Sequence, residues 1–307
     1  MYPMLLKPAF KETIWGGTKL KTEYGKDCDF ENLAESWEAS CHPSGLSTVA
    51  NGLYAGRSLA EVWKDVCKQT REFPLLVKLI DAHDTLSIQV HPKGKTEMWY
   101  VLDAEPDAEV ILGLNRDVTR DELAEAIADG SLPELCHKIK ARAGDIIFIP
   151  AGQLHAIGKG ILLAEIQQSS DITYRVYDYG RLSNGKPREL HIEKALDVMS
   201  LAENKRGATR AFVLEDEDEY IVRDLLSCPF FHVKELELFD DADFFTENDG
   251  FHILLTLDGE MEISYENDDG DEEILPIAKG QTVFVPGGMD YVLHTDDVCK
   301  CLMIAEK

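Results

Sequence analysis

The sequence predicts a mainly β protein built from two like β-barrels with a few helices, and three observations lead there. Short runs of β-branched and aromatic residues bounded by glycine and proline recur along the chain, as Ile146 to Ile149 does between Gly144 and Pro150. One strand-and-turn pattern occurs twice: the spacing of Gly144, Pro150, Gly152 and His155 is repeated by Gly280, Pro286, Gly288 and Tyr291. Each copy also has a partner strand upstream, Met98 to Asp103 in the first and Ile253 to Asp258, with Gly259 at the turn, in the second. Such a repeat divides the 307 residues into an N-terminal unit, 1–206, and a C-terminal unit, 207–307. Only the first copy ends on a histidine, so chemistry is expected there.

Residues 1–57 read as short extended pieces with tight corners at Trp15-Gly16-Gly17 and Pro43-Ser44-Gly45. Ser58 and Glu61 form a capping box, and Leu59, Val62, Trp63 and Val66 follow at helical spacing. In the strand that follows Pro74, Lys78 interrupts an apolar run; either its stem snorkels outward or the ammonium points into a polar cavity. Next, Leu86, Ile88 and Val90 share one strand face, while Ser87, Gln89 and His91 share the other. Pro92, Lys93 and Gly94 make a turn, after which Lys95 and Glu97 share a face. A hairpin of these two strands would bring Gln89, His91, Lys95 and Glu97 together.

An inserted helix is expected over about residues 117–130, capped by Thr119 and Glu122 and ended by Gly130. It occupies the first unit alone: 47 positions separate Glu97 from Gly144, but 28 separate His252 from Gly280. Beyond His155, alternation places Leu163, Glu165 and Gln167 on one face, and Thr173, Arg175, Tyr177 and Tyr179 on another. A turn at Ser183 to Lys186 leads to a helix with Ile192, Ala195, Leu196 and Met199 as its apolar stripe, and residues 201–212 connect the units. The acidic runs Glu215 to Glu219 and Glu266 to Glu273 read as solvated hairpin tips.

Composition narrows the function. A net charge of -26 argues against nucleic acid and anionic membrane as partners. An acidic protein that takes an anionic substrate must concentrate its basic side chains at the site. Seven scattered cysteines without a Cys-x-x-Cys pair are expected to be reduced thiols, and no apolar run approaches the roughly 20 residues that span a bilayer, so a soluble, cytoplasmic protein is expected.

His91, Glu97 and His155, with Gln89 beside them, offer two imidazoles, a carboxylate and an amide oxygen to a divalent metal. The competing reading is a satisfied polar cluster in the barrel mouth. These residues sit in longer matches: Ile14 to Gly17, Ala34 to Trp37 with His42 and Pro43, Leu75 to Leu79, Leu86 to Pro92, Lys95 to Tyr100, Gly144 to His155, and Tyr174 to Gly180. Together they resemble the type I mannose-6-phosphate isomerases, short bacterial form, a bicupin family of zinc enzymes. The resemblance covers about residues 1–200. It implies two cupin-like (jelly-roll) barrels, one divalent ion per chain (Zn2+) on Gln89, His91, Glu97 and His155, and a phosphorylated hexose as substrate. It also implies substrate or catalytic contacts at Lys78, Lys95, Glu165, Asp171, Arg175 and Arg181. One departure stands out: only Lys93 and Gly94 lie between the His-Pro and the Lys-x-Glu, where family members carry a longer segment, and a shorter flap changes access. An iron(II) cupin oxygenase and a non-catalytic sugar-phosphate binder are the alternatives.

Overall fold

The computed structural model describes residues 1–183 and 185–307, so the turn expected at Ser183 to Lys186 passes through a position, Asn184, outside the described residues. Strands dominate and stack as four layers. In the first unit a five-stranded sheet, ordered Tyr174–Tyr177, Ile88–Val90, His155–Ile157, Glu109–Leu114 and Cys136–Lys140, lies over a six-stranded one. The second is ordered Ile146–Ile149, Glu97–Ala104, Ile161–Gln168, Leu75–Ala82, Ala9–Gly17 and Leu33–Ala39. Side chains from alternate positions fill the space between them, with Trp99, Ile147 and Leu163 of one sheet packed with Val110, Leu112 and Ile157 of the other.

The other face of the six-stranded sheet is equally apolar. Leu75, Val77, Leu79, Ala164 and Ile166 join Phe231, Phe251, Ile253, Phe284 and Ile304 of an eight-stranded sheet in one core. On the far side of that sheet, Leu254, Val283 and Val285 pack with Met261, Ile263, Tyr291 and Leu293 of a four-stranded sheet. Because both faces of the central sheets are covered, their strands read as nearly continuous apolar runs. The mainly β fold is therefore present, with two like sandwiches back to back.

Two features tie the units together. The first strand, Met4–Lys7, pairs with Thr282–Pro286 of the eight-stranded sheet, so the start of the chain completes the second unit. Glu38, fully buried, accepts hydrogen bonds from Ser36 Oγ (2.6 Å) and Thr282 Oγ1 (2.9 Å) and lies 2.6 Å from Lys26 Nζ, which also donates to the Gly280 carbonyl.

Two helices begin where their caps predict. Ser58 and Glu61 cap a helical stretch, Leu59–Glu61, that widens into a π-helical turn, Val62–Val66, and sets Trp63 edge-on against Phe73, Phe251 and Phe284. Thr119 and Glu122 cap the inserted helix, Arg120–Asp129, and Gly130 ends it at φ 84°, a left-handed conformation that glycine adopts without strain. Ile192–Val198 forms the last helix, and Met199 follows it as a buried, extended cap residue.

The expected hairpin around Pro92 to Gly94 does not form. Ile88–Val90 already lies between Tyr174–Tyr177 and His155–Ile157, while Glu97–Ala104 lies between Ile146–Ile149 and Ile161–Gln168. Neither strand has a free edge, so the connection arches from one layer to the other. Lys95 and Thr96 belong to this arch, and the strand starts at Glu97. Gln89 and Glu97 consequently meet across the sandwich, not along a ladder.

Candidate active site

Between the two sheets of the first unit lies a buried polar island. His155 opens its strand opposite Gln89, and Glu97 opens its strand beside Gln167. His91 hangs from the arch. His91, Glu97 and His155 are at most 1% exposed, and one potential ligand atom from each lies within 4.8 Å of the others. The carboxylate approaches His91 Nε2 at 3.2 Å and His155 Nε2 at 3.6 Å, and the two imidazole centroids are 4.6 Å apart.

Backbone carbonyls orient both rings. His155 Nδ1 lies 2.9 Å from the Gln153 carbonyl and His91 Nδ1 lies 2.9 Å from that of Ile172. A carbonyl only accepts, so each Nδ1 carries the proton and each Nε2 turns a lone pair inward, the tautomer a metal ligand needs. Burial pushes His91 down to about 3 and lowers His155 as well, so both rings are neutral near pH 7. Both oxygens of Glu97 are buried without a hydrogen-bond donor. A carboxylate so placed, facing two neutral imidazoles and with the Lys95 ammonium 3.6 Å away and not hydrogen-bonded to it, has both oxygens available to a metal, and the donor set fits a divalent ion of the zinc class. Gln89 lies 3.3 Å from His155 Nε2 through its amide nitrogen and accepts from Ser87 Oγ (3.3 Å), so the fourth donor stands beside the cluster.

Two lysines complete the interior. Lys78 points inward: its Nζ donates to Glu165 Oε1 at 2.8 Å and lies 3.7 Å from Glu35. Burial opposes its charge, but Glu165 and Glu35 outweigh that and raise its pKa above the ordinary value. Lys95 Nζ lies 3.0 Å from His91 Nε2 and 3.6 Å from Glu97, and burial lowers its pKa despite that carboxylate. Glu165 also accepts from Trp99 Nε1 (2.9 Å); burial, and then repulsion from Glu97, raises its carboxyl against the pull of Lys78.

The remaining expected residues lie farther out. Arg175 pairs in register with Gln89 and donates from Nε to Ser87 Oγ at 3.1 Å, which links it to the cluster. Asp171 stands at the rim, where its carboxylate accepts from Ser44 Oγ (2.6 Å) and lies 3.5 Å from His42 Nε2. Arg181 is held by Asp178 at 2.6 Å and by the Thr85 carbonyl, over the Tyr179 ring.

Sequence reasoning missed Glu35 and Trp99 as site residues. Glu35 accepts from Trp37 Nε1 at 2.7 Å while reaching toward Lys78, and the shared strand face of Glu35 and Trp37 was the available signal. In the second unit His252 pairs with Val285 as Glu97 pairs with Ile149, and its Nδ1 lies 2.7 Å from the Tyr291 hydroxyl. Burial, aided by Lys234, pulls His252 down to about 4.

This chain is similar to known proteins over most of its length. The family model for the phosphomannose isomerase type I catalytic domain matches residues 4–128. Mannose-6-phosphate isomerase ManA of Bacillus subtilis (strain 168) is 36% identical over 305 residues, 94% of each chain. A mannose-6-phosphate isomerase of Streptococcus mutans is 41% identical over 253 residues, 77% of this chain and 79% of the other. The crystal structure of mannose 6-phosphate isomerase from Bacillus subtilis superposes with a TM-score of 0.89 at 35% identity, covering 99% of both chains.

Proposed function

This chain belongs to the type I phosphomannose isomerases, and on that premise we propose that it interconverts mannose 6-phosphate and fructose 6-phosphate by proton transfer between C2 and C1 through an enediol(ate). The observation that supports it most directly is Glu97, buried with both oxygens lacking a donor between two neutral imidazoles. Gln89, His91, Glu97 and His155 would hold one divalent ion, which we assign as Zn2+ and which supplies Lewis-acid stabilisation of negative charge on the sugar oxygens.

Glu165 removes the proton from C2 and returns it to C1. Its raised carboxyl suits a carbon acid better than an ordinary carboxylate does. Lys78 holds one oxygen of Glu165, and the Trp99 N–H holds the other, so the carboxylate is aimed before substrate arrives. Lys95 offers its ammonium to the charge that develops on O1 and O2 while the hydroxyl proton passes between them. Arg175 contributes positive charge to the phosphate end, and Asp171 and Arg181 frame the mouth. The C-terminal unit, 207–307, serves as a structural partner without a metal: His252 and Tyr291 bond to each other where the first unit has ligands. We also assign the enzyme to the cytoplasm, in keeping with its seven unpaired thiols.

The test is turnover of mannose 6-phosphate to fructose 6-phosphate before and after chelation, with zinc, manganese, cobalt and iron(II) added back and metal content measured in parallel. Loss on chelation, restoration by zinc and about one ion per chain are expected. Absence of turnover with every ion would sink the assignment.

A further inference from the structure

A second cationic cluster lies outside the metal site. Asp178, 7% exposed, takes Arg188 Nε at 2.7 Å on one carboxylate oxygen, while the other receives Arg188 Nη2 at 2.5 Å and Arg181 Nη2 at 2.6 Å. Arg175 belongs to the same group. Repulsion from Arg188 is, after burial, the leading cause of its lowered pKa, and Asp178 is the main attraction that offsets it. Two guanidiniums thus bond one buried carboxylate, and a third, Arg175, is held beside them through the carbonyl of Glu189, the residue after Arg188, in a chain with 57 acidic and 31 basic residues. The other nearby carboxylates are peripheral: Asp84 lies 3.7 Å from Arg181 and is 53% exposed, and the Glu189 side chain is 82% exposed.

The three arginines differ in what they have left to offer. Arg181 is committed through all its nitrogens: Nε to the Asp178 carbonyl (3.3 Å), Nη1 to the Thr85 carbonyl and Nη2 to the Asp178 carboxylate. Arg175 uses Nε on Ser87 and Nη1 on the Glu189 carbonyl, which leaves Nη2 without an acceptor among the described residues. Arg188 uses Nε and Nη2 on Asp178, and its Nη1 likewise has no acceptor among the described residues. Two uncommitted N–H2 groups held beside excess positive charge form an anion site, and phosphate oxygens match such forks.

We propose that Arg188, together with Arg175, receives the phosphate of the substrate, and that Arg181 and Asp178 are positioning residues that brace Arg188. The proposal rests on the sugar-phosphate reading above and adds Arg188, which the sequence did not single out, as a phosphate contact beside Arg175. Through Ser87, which accepts from Arg175 and donates to Gln89, the anion site is coupled to the strand that carries the metal donors.

The experiment uses the zinc-loaded enzyme with Arg188→Ala, Arg188→Lys and Asp178→Asn. Arg188→Ala is expected to raise KM for mannose 6-phosphate by about tenfold or more with kcat changed less than about twofold, the signature of lost uniform binding. Inhibition and thermal stabilisation by inorganic phosphate should weaken by a similar factor, with metal content unchanged. Arg188→Lys, which keeps the charge but loses the fork, should fall between, and Asp178→Asn should raise KM without touching the metal. Unchanged KM and phosphate affinity in Arg188→Ala and Arg188→Lys, with only a lower melting temperature, would overturn the proposal by reducing Arg188 to a structural partner of Asp178. Should the wild type fail to turn over mannose 6-phosphate, the isomerase reading alone falls, because stabilisation by inorganic phosphate and its loss in Arg188→Ala still report the anion site.

Discussion

At the scale of single residues the site depends on groups that are costly to bury and are therefore matched to one another. Glu97→Gln keeps the shape of the ligand but removes its charge, and bound metal measured after dialysis should drop from about one ion per chain to near zero. Glu165→Gln should leave metal content intact and lower kcat by about 10²- to 10⁴-fold, the usual worth of a positioned proton carrier; equal activity would remove it from that role. Gln89 was legible because strand alternation assigns side chains to faces, and His91 and Lys95 because they adjoin the strand ends that carry Gln89 and Glu97. Glu35 and Trp99 were not, because their roles come from partners far along the chain: Lys78 lies 43 positions from Glu35, and the Trp99 N–H finds Glu165 66 positions on.

Elements were legible to the extent that their ends carry local chemistry. The capping boxes at Ser58 and Thr119 and the left-handed Gly130 fix helix boundaries without tertiary help. Thr119→Ala should cost about 1 kcal/mol in urea unfolding and leave activity unchanged. The Pro92 to Gly94 connection was misread because its length suits a hairpin or an arch, and only the ladder partners of the flanking strands decide between them. His252 belongs to this scale, since it occupies the ladder position that Glu97 has in the first unit. Its imidazole titrates at about 4 when folded against 6.5 ordinarily. Between these values the unfolded chain takes up a proton that the folded one refuses, so stability present above pH 6.5 is lost as pH falls toward 4. His252→Gln should flatten that part of the stability profile relative to wild type, measured by urea unfolding at pH 7, 6 and 5.

For the whole molecule, the repeat in the sequence pointed to two like β-structures, but not that they share a core or that Met4–Lys7 and Thr48–Val49 join the eight-stranded sheet. Both facts depend on the outer faces of central sheets, which look like any other apolar run. Glu38 and Lys26 sit where the units meet, and Glu38→Ala strands a buried ammonium and removes the acceptor of Thr282. A loss of about 3–5 kcal/mol in unfolding free energy is expected, whereas a loss below about 1 kcal/mol would mean that the junction relaxes freely.

The strand Met4–Lys7 also has a consequence in time. It is made well before its partner, Thr282–Pro286, for Met4 pairs with Phe284. Until Thr282–Pro286 has been made the eight-stranded sheet lacks an interior strand, and the apolar back of the catalytic sheet has no finished surface to cover it. Vectorial folding therefore cannot finish the first half before the second exists. Assembly of the native sheet waits on Thr282–Pro286, and a polypeptide cut short before residue 282 is left with an open sheet that chaperones and proteases can recognise.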